Sequence, residues 1–186
     1  MSLEWLGALL ALAMVVCNAR VMVWGWPLAV LSSCLYGWVF AEAGLYGEAA
    51  LQAVFVAMAL WGWGRWWRQR QLPAAQALNT VRGLTLLGQW QALVFTVALW
   101  AVLAQVLAHF TDSTVPWWDA LGTAGSVMGT WLLAYKFREN WWWWTGVNAV
   151  SVGLFVHKAL WPTAALYALF TAMSLWGAWR WRARSA

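Results

Sequence analysis

The sequence predicts an all-α membrane protein with seven transmembrane helices, arranged as a parallel repeat of three helices, a linking helix and three more. Three observations support this fold class. Hydrophobic residues make up 64% of the chain and charged residues only 9%, whereas soluble domains contain roughly a quarter charged residues and about half apolar ones. The basic residues gather at alternate ends of the apolar runs, and one part of the chain repeats another.

The apolar runs have the length of membrane-spanning helices. About 20 residues at 1.5 Å per residue cross roughly 30 Å of hydrocarbon, and the short alternating segments of a β-barrel are not seen in the sequence. Because the first run contains Glu4 and no basic segment precedes it, we expect a retained helix rather than a signal peptide. The seven predicted spans are Leu3–Ala19, Trp24–Ala43, Tyr46–Trp66, Gln89–Phe110, Trp117–Tyr135, Trp141–Val156 and Leu160–Trp179.

The distribution of charge predicts the orientation of the chain. With the N-terminus outside and the C-terminus in the cytoplasm, ten of the eleven Lys and Arg residues fall on the inside, and only Lys158 falls outside. Five of the six acidic residues fall outside, and only Glu139 falls inside. Since basic residues favour the cytoplasmic side, the net charge of +5 is explained by membrane topology, and no nucleic-acid partner is predicted.

An internal repeat indicates how the spans are grouped. At a constant shift of 115 positions, Ala49–Trp66 aligns with Ala164–Trp181 with 12 of 18 residues identical, and Trp26 aligns with Trp141. Spans 2 and 3 thus correspond to spans 6 and 7, in the same direction through the membrane; spans 1 and 5 show no convincing identity. We predict a first three-helix bundle (1–67), a cytoplasmic linker with a linking helix (68–111) and a second bundle (112–186). Parallel repeats of this kind are typical of transporters.

The stretch "ENWWWWTGVN" contains the most distinctive candidate site. On a helix, five of the residues in and after it fall within about 80° of one another: Trp141, Trp144, Asn148, Ser151 and Phe155. Trp142 and Trp143 are expected to face lipid or headgroups. The Trp141 and Trp144 rings either contact a ligand or pack between helices. Stacking on a cationic ring would contribute about 0.5–2 kcal/mol per face, and Asn148 would orient that ring through a donor and an acceptor.

Four further polar residues are weaker candidates for substrate binding. Gln52 lies within span 3 and either bonds a neighbouring helix or faces a polar cavity. Asp119 lies beside two tryptophans at the outer end of span 5, where it either attracts a cation or is a solvated acid at a helix N-terminus. Tyr36 and Tyr167 could each supply a hydroxyl donor.

The sequence contains no motif of an enzyme. We find no phosphate-binding glycine loop, no His/Cys metal spacing and no nucleophile with a base partner, so neither catalysis nor a cofactor is predicted. None of the carboxylates lies in the middle of a span, where a proton relay would be expected. This favours passive passage over coupled pumping. A non-transporting membrane scaffold is the alternative, against which the amides of Gln52 and Asn148 count.

Four motifs resemble those of the PnuC family of vitamin transporters. They are "WD" at Trp118–Asp119, "ENWxxW" at Glu139–Trp144 followed by Asn148, "LYxxxxLQ" at Leu45–Gln52, and "GWxxW" at Gly62–Trp66. The resemblance covers nearly the whole chain, and the second motif is its most specific part. It implies a relative of the small sugar transporters with three plus one plus three helices. Trp142 and Trp143 depart from the pattern, because relatives commonly have aliphatic or basic residues there.

The resemblance also implies a function. Members of the family carry nicotinamide riboside across the inner membrane by facilitated diffusion, and close relatives carry thiamine, riboflavin or deoxynucleosides. A cytosolic kinase then traps the substrate. The positions that match the family's substrate contacts are Gln52, Trp141, Trp144 and Asn148, with Asp119 less closely matched. Nicotinamide riboside is the first expectation and thiamine the second, since both contain a cationic aromatic ring. The tryptophan-rich outer faces leave room for a homo-oligomer.

Overall fold

The computed structural model describes residues 3–42, 46–71, 81–111, 115–157, 159 and 161–182. These residues form seven α-helices and no β-strand, which confirms the predicted all-α class with seven helices. The helices are α1 (Leu3–Ala19), α2 (Gly25–Glu42), α3 (Tyr46–Gln71), α4 (Leu86–Phe110), α5 (Pro116–Ala134), α6 (Asn140–His157) and α7 (Trp161–Arg182).

Four helices, α3, α4, α6 and α7, are longer than their predicted spans, and α3 and α4 extend into the predicted linker. α3 continues past Trp66 to Gln71, because arginine and glutamine are strong helix formers even where the chain is too polar for a membrane span. α4 begins at Leu86 rather than Gln89, since the Thr85 side chain accepts a hydrogen bond from the Gly88 N–H at 3.1 Å and caps the helix. Residues 72–80 of the predicted linker lie outside the described residues.

The chain divides into two compact units, Met1–Thr80 and Val81–Ala186. In the first unit, α2 packs against both α1 and α3. The Ser32 hydroxyl donates a hydrogen bond to the Gly7 carbonyl at 3.0 Å and ties α2 to α1. On the other side, the Trp26 ring lies against the backbone of Gly62, where an added Cβ would come within 2.3 Å of the ring. A glycine therefore permits the close approach of α3 to α2.

In the second unit, α5 packs against α4 and α6, and α6 packs against α7. Gly125 and Gly129, one turn apart on α5, face Val147 and Trp144 of α6, and a Cβ at Gly125 would lie 2.4 Å from Val147. This small-xxx-small pair brings the two helices into close contact. Towards α4, a core forms around Ala92, Met128 and Leu132.

The same chain reversal ends α1 and α5. Val21 and Lys136 both adopt the left-handed conformation, with φ of 59° and 58°. In each case the following N–H, of Met22 or Phe137, bonds to a carbonyl five residues back, at 2.8 and 2.9 Å. This is the Schellman arrangement at a helix C-terminus. The two turns are 115 positions apart, the shift of the sequence repeat, although spans 1 and 5 share no convincing identity.

A short bridge connects the start of α4 to the turn between α5 and α6. The Arg82 N–H donates to the Lys136 carbonyl at 3.0 Å, and the Arg138 N–H donates to the Arg82 carbonyl at 2.9 Å. The Glu139 carboxylate accepts from the Leu84 N–H at 3.0 Å and is 8% exposed. These bonds hold the segment before α4 to the turn between α5 and α6. They also give the Glu139 carboxylate a structural role.

Candidate functional site

Trp141 lies in the packing between α6 and α7. The residue is 2% exposed, and its ring covers Gly177, where an added Cβ would meet ring atoms at 2.5 Å. Trp181 approaches it edge to face, with ring centroids 5.6 Å apart and planes at 84°. Trp26 of the first unit has the same environment, with Gly62 under the ring and Trp66 at 5.6 Å and 82°. This geometry favours the packing alternative for Trp141 over ligand contact.

Trp144 is placed differently from Trp141. Its indole lies on Gly129 of α5, where an added Cβ would come within 3.1 Å of the ring nitrogen. The side chain is only half-buried, so part of the ring surface remains open after this contact. Of the two predicted stacking rings, Trp144 is therefore the one that can present a face to a flat ligand.

Asn148 lies one turn further along α6 and is 7% exposed. Its Nδ2 donates to the Ser174 hydroxyl of α7 at 3.3 Å. The Ser174 hydroxyl in turn donates to the Phe170 carbonyl at 2.9 Å. A buried amide costs free energy unless it is paired, and this short chain of bonds pairs the donor end of Asn148 while leaving its acceptor end available.

The two middle tryptophans do not both face outward. Trp142 is 53% exposed, as expected for a ring in lipid or headgroups. Trp143 instead packs against the core around Ala92 and Met128, and its indole N–H donates to the Thr96 hydroxyl of α4 at 3.3 Å. The expectation that both rings face lipid is therefore wrong for Trp143, because α4 packs on this side of the second unit.

Tyr167 and Asp119, the remaining candidates of the second unit, lie elsewhere along their helices. Tyr167 of α7 is half-buried against Phe155, with ring centroids 5.1 Å apart. Asp119 is half-buried in the first turn of α5, and the Thr123 hydroxyl donates to its carbonyl at 3.0 Å. A carboxylate in this place stabilises the helix N-terminus.

In the first unit, Gln52 and Tyr36 both face neighbouring helices. Gln52 is half-buried on α3, and its Cβ is 3.4 Å from where a Cβ of Gly37 on α2 would lie. The Tyr36 ring stacks on Phe40 with centroids 6.0 Å apart and covers Gly7 of α1. Both residues thus lie where small residues allow close helix contact.

The family model "Nicotinamide mononucleotide transporter" matches residues 1–183 of the chain. The chain belongs to this family of vitamin transporters. The riboflavin/roseoflavin transporter RibM of Streptomyces davaonensis is 30% identical over 185 residues, covering 98% of this chain and 85% of that protein. The nicotinamide riboside transporter PnuC of Escherichia coli is 25% identical over 175 residues, covering 82% and 73%.

The fold has a counterpart in a solved structure, that of the vitamin B3 transporter PnuC. It matches with a TM-score of 0.78 and 21% identity, over 97% of this chain and 80% of the other. The resemblance to the PnuC family is thereby confirmed, and homologues of the chain are transporters rather than enzymes. The chain is a multi-pass inner-membrane protein, as members of this family are.

By length and hydropathy alone, one helix among the described residues, α4, is sufficient to cross a membrane, and Leu6–Ala19 is a shorter apolar helix. The other helices of this family member contain more tryptophan, glycine or polar side chains, which lower hydropathy without preventing membrane contact. α4 also exposes many large apolar side chains. The most exposed of its large side chains are Leu86, Leu87, Trp90, Val94, Val102 and Phe110.

Sequence reasoning missed Ser174. A serine in an apolar helix is usually interpreted as a small residue that permits helix contact. Its partner Asn148 is 26 positions away, so the sequence does not pair them. One signal was available: at the shift of 115, Ser174 aligns with Ala59 and Asn148 aligns with Ser33. Ser174 is therefore a polar residue where the first unit has an apolar one, and Asn148 is an amide where the first unit has a hydroxyl.

Proposed function

We propose that this protein carries nicotinamide riboside across the inner membrane by facilitated diffusion. The observation that supports it is the pairing, on one face of α6, of the half-buried Trp144 ring with the buried Asn148 amide one turn away. A cationic pyridinium can stack on the indole, and its carboxamide can bond to the amide. Trp144 and Asn148 are the proposed substrate contacts.

The same proposal includes the orientation of the chain in the membrane and the driving force for uptake. The N-terminus lies outside and the C-terminus in the cytoplasm, and the helices form a parallel repeat of three plus one plus three. Because each carboxylate in the sequence lies near the end of a predicted span, no proton relay is proposed. Net uptake then depends on a cytosolic kinase that converts the entering nucleoside to a phosphorylated product.

Riboflavin is the second candidate substrate, favoured by the 30% identity to RibM over 98% of this chain. The isoalloxazine ring is flat and would also stack on Trp144. It is larger and uncharged, so it would gain less from an indole face than a pyridinium does. Thiamine, also cationic, is the third.

Calorimetric titration of the purified protein with nicotinamide riboside, riboflavin and thiamine tests the proposal. We expect nicotinamide riboside to bind most tightly and Trp144→Ala to weaken it by about tenfold or more, since stacking on one ring is worth about 1–2 kcal/mol. Trp142→Ala is the matched control, because the same side chain is removed from an outward position two residues away. It should change the Kd by less than about twofold.

Two results would contradict the proposal. Tighter binding of riboflavin than of nicotinamide riboside would transfer the assignment to the second candidate. Equal losses in the Trp144→Ala and Trp142→Ala variants would show that the ring on Gly129 is not a substrate contact. Uptake of the preferred ligand into proteoliposomes without any ion gradient then separates facilitated diffusion from coupled transport and from a non-transporting scaffold.

A further inference from the structure

The hydroxyl of Ser174 has a single hydrogen, and the distance from Oγ to the nearest carbonyl indicates where it is donated. Ser174 is 2% exposed on α7, and its Oγ lies 2.9 Å from the carbonyl oxygen of Phe170, one turn back along the helix. A carbonyl oxygen can only accept, so in this contact the serine hydroxyl is the donor. What Oγ offers on its other side is a lone pair.

That lone pair determines the orientation of the Asn148 amide. The two ends of an asparagine amide are similar in shape, but one donates and the other accepts. With Oδ1 turned towards Ser174, two acceptors would face each other at about 3.3 Å. With Nδ2 there, the amide donates to the serine oxygen. With the serine hydrogen on the Phe170 carbonyl, the network therefore favours the orientation with Nδ2 towards Ser174.

The acceptor end of Asn148 is thus left available. No hydrogen bond to Oδ1 is formed by any other described residue. Oδ1 of Asn140 is buried without a hydrogen-bond partner among the described residues, whereas Asn148 keeps 7% of its surface accessible. Because Asn148 lies one turn from Trp144 on α6, the half-buried indole and the acceptor end of the amide occur on the same side of the helix.

We infer that Ser174 is a positioning residue, which holds the Asn148 amide so that the site accepts a hydrogen bond and selects substrates that donate one. This rests on the proposed function and deepens it, since it states which group of the vitamin is recognised. In nicotinamide riboside the donor is the carboxamide NH₂; in riboflavin it is the N3–H of the isoalloxazine. The first unit has Ala59 and Ser33 at the corresponding positions and cannot form the same arrangement.

Analogues that lack only the donor test the inference directly. 3-Acetylpyridine riboside replaces the NH₂ of nicotinamide riboside by a methyl group and keeps the cationic ring, the carbonyl and the ribose. We expect the wild-type protein to bind nicotinamide riboside about tenfold more tightly than this analogue, because the analogue leaves a buried acceptor unpaired. Equal affinities would overturn the inference without any variant being needed.

The Ser174→Ala variant separates positioning from support of the fold. Without the serine oxygen, the amide can turn either end towards the ligand, and the preference for nicotinamide riboside over the acetyl analogue should fall to about twofold or less. A parallel loss of affinity for both ligands, with the ratio retained, would mean that Ser174 only supports the helix contact. Ser174→Thr keeps the hydroxyl and should restore the ratio.

Thr171→Ala is the matched control. Thr171 lies on the same helix, and its hydroxyl donates to the Tyr167 carbonyl at 2.8 Å, so a comparable backbone bond is lost with no effect on Asn148. The selectivity ratio should stay at the wild-type value.

A parallel series distinguishes failure of the inference from failure of the proposed function. If riboflavin binds and nicotinamide riboside does not, the substrate assignment is wrong, and riboflavin against N3-methylriboflavin then measures the donor requirement. The same tenfold preference, lost in Ser174→Ala, supports the inference, whereas no preference overturns it. Binding of neither vitamin overturns both.

Discussion

The hairpins α2–α3 and α6–α7 contain the same tryptophan packing but different polar side chains. In each, a tryptophan at the start of the first helix lies on a glycine of the second and meets another tryptophan edge to face. The indole N–H groups of Trp26 and Trp141 are both buried without a hydrogen-bond partner among the described residues. The Asn148–Ser174 pair belongs to α6–α7 alone. The shared features build helix contacts, and the difference identifies the candidate site.

The largest effect is expected where the hairpins differ. Asn148→Leu keeps a side chain of similar length but removes the amide, so uptake of the preferred vitamin should be abolished while expression in the membrane is unchanged. Ser33→Ala, at the corresponding position of α2, removes a polar group from the other hairpin and should leave uptake within about twofold of wild type. Uptake of labelled vitamin into proteoliposomes measures both.

Two other results would change the comparison between the hairpins. If Asn148→Leu still transports, the amide is only a contact between helices, worth about 1 kcal/mol in membranes. If Ser33→Ala also loses uptake, the two hairpins do not differ in function at this position.

A smaller effect is expected where the hairpins agree. An alanine at Gly62 or Gly177 places its Cβ at 2.3 or 2.5 Å from the facing tryptophan ring. Since these rings are fully buried, each substitution should lower the free energy of unfolding by about 1–3 kcal/mol. Gly64→Ala and Gly146→Ala are matched controls, because an added Cβ at either site meets nothing within 4 Å. Thermal unfolding in detergent compares the four variants.

The two glycine variants should also lose similar amounts of stability. A large loss for one and none for the other would show that the two tryptophan contacts, similar in geometry, differ in importance for the fold.

The correspondence of Trp26 with Trp141 could be predicted from the sequence, because residue identities recur at a constant shift, but the choice between ligand contact and helix packing for Trp141 stayed open. The direction of Trp143 could not, since it depends on Thr96, 47 positions earlier in another helix. The left-handed turns at Val21 and Lys136 could not be predicted from the sequence either. Left-handed positions are usually marked by glycine or asparagine, and neither valine nor lysine gives that signal. The role of Ser174 depends on which group its single hydrogen bonds, which only the structure shows.

The smallest effect is expected in these two turns, where the compared feature is backbone strain. A β-branched residue in the left-handed conformation is strained by about 1–2 kcal/mol, and glycine adopts this conformation without strain. Val21→Gly should therefore stabilise the protein by about 1 kcal/mol, measured by thermal unfolding in detergent. Lys136→Gly relieves similar strain but deletes a side chain that is 3% exposed and interacts with its surroundings, so its gain should be smaller or reversed.

Met22→Gly is the control, since Met22 follows Val21 in the same turn without a positive φ. It should destabilise by about 0.5–1 kcal/mol, because glycine adds freedom to the unfolded chain with no strain to relieve. If Val21→Gly destabilises as much as Met22→Gly, the left-handed turn is not strained by its valine. The similarity of the two turns would then be one of shape only, with side-chain contacts rather than backbone preference holding each of them.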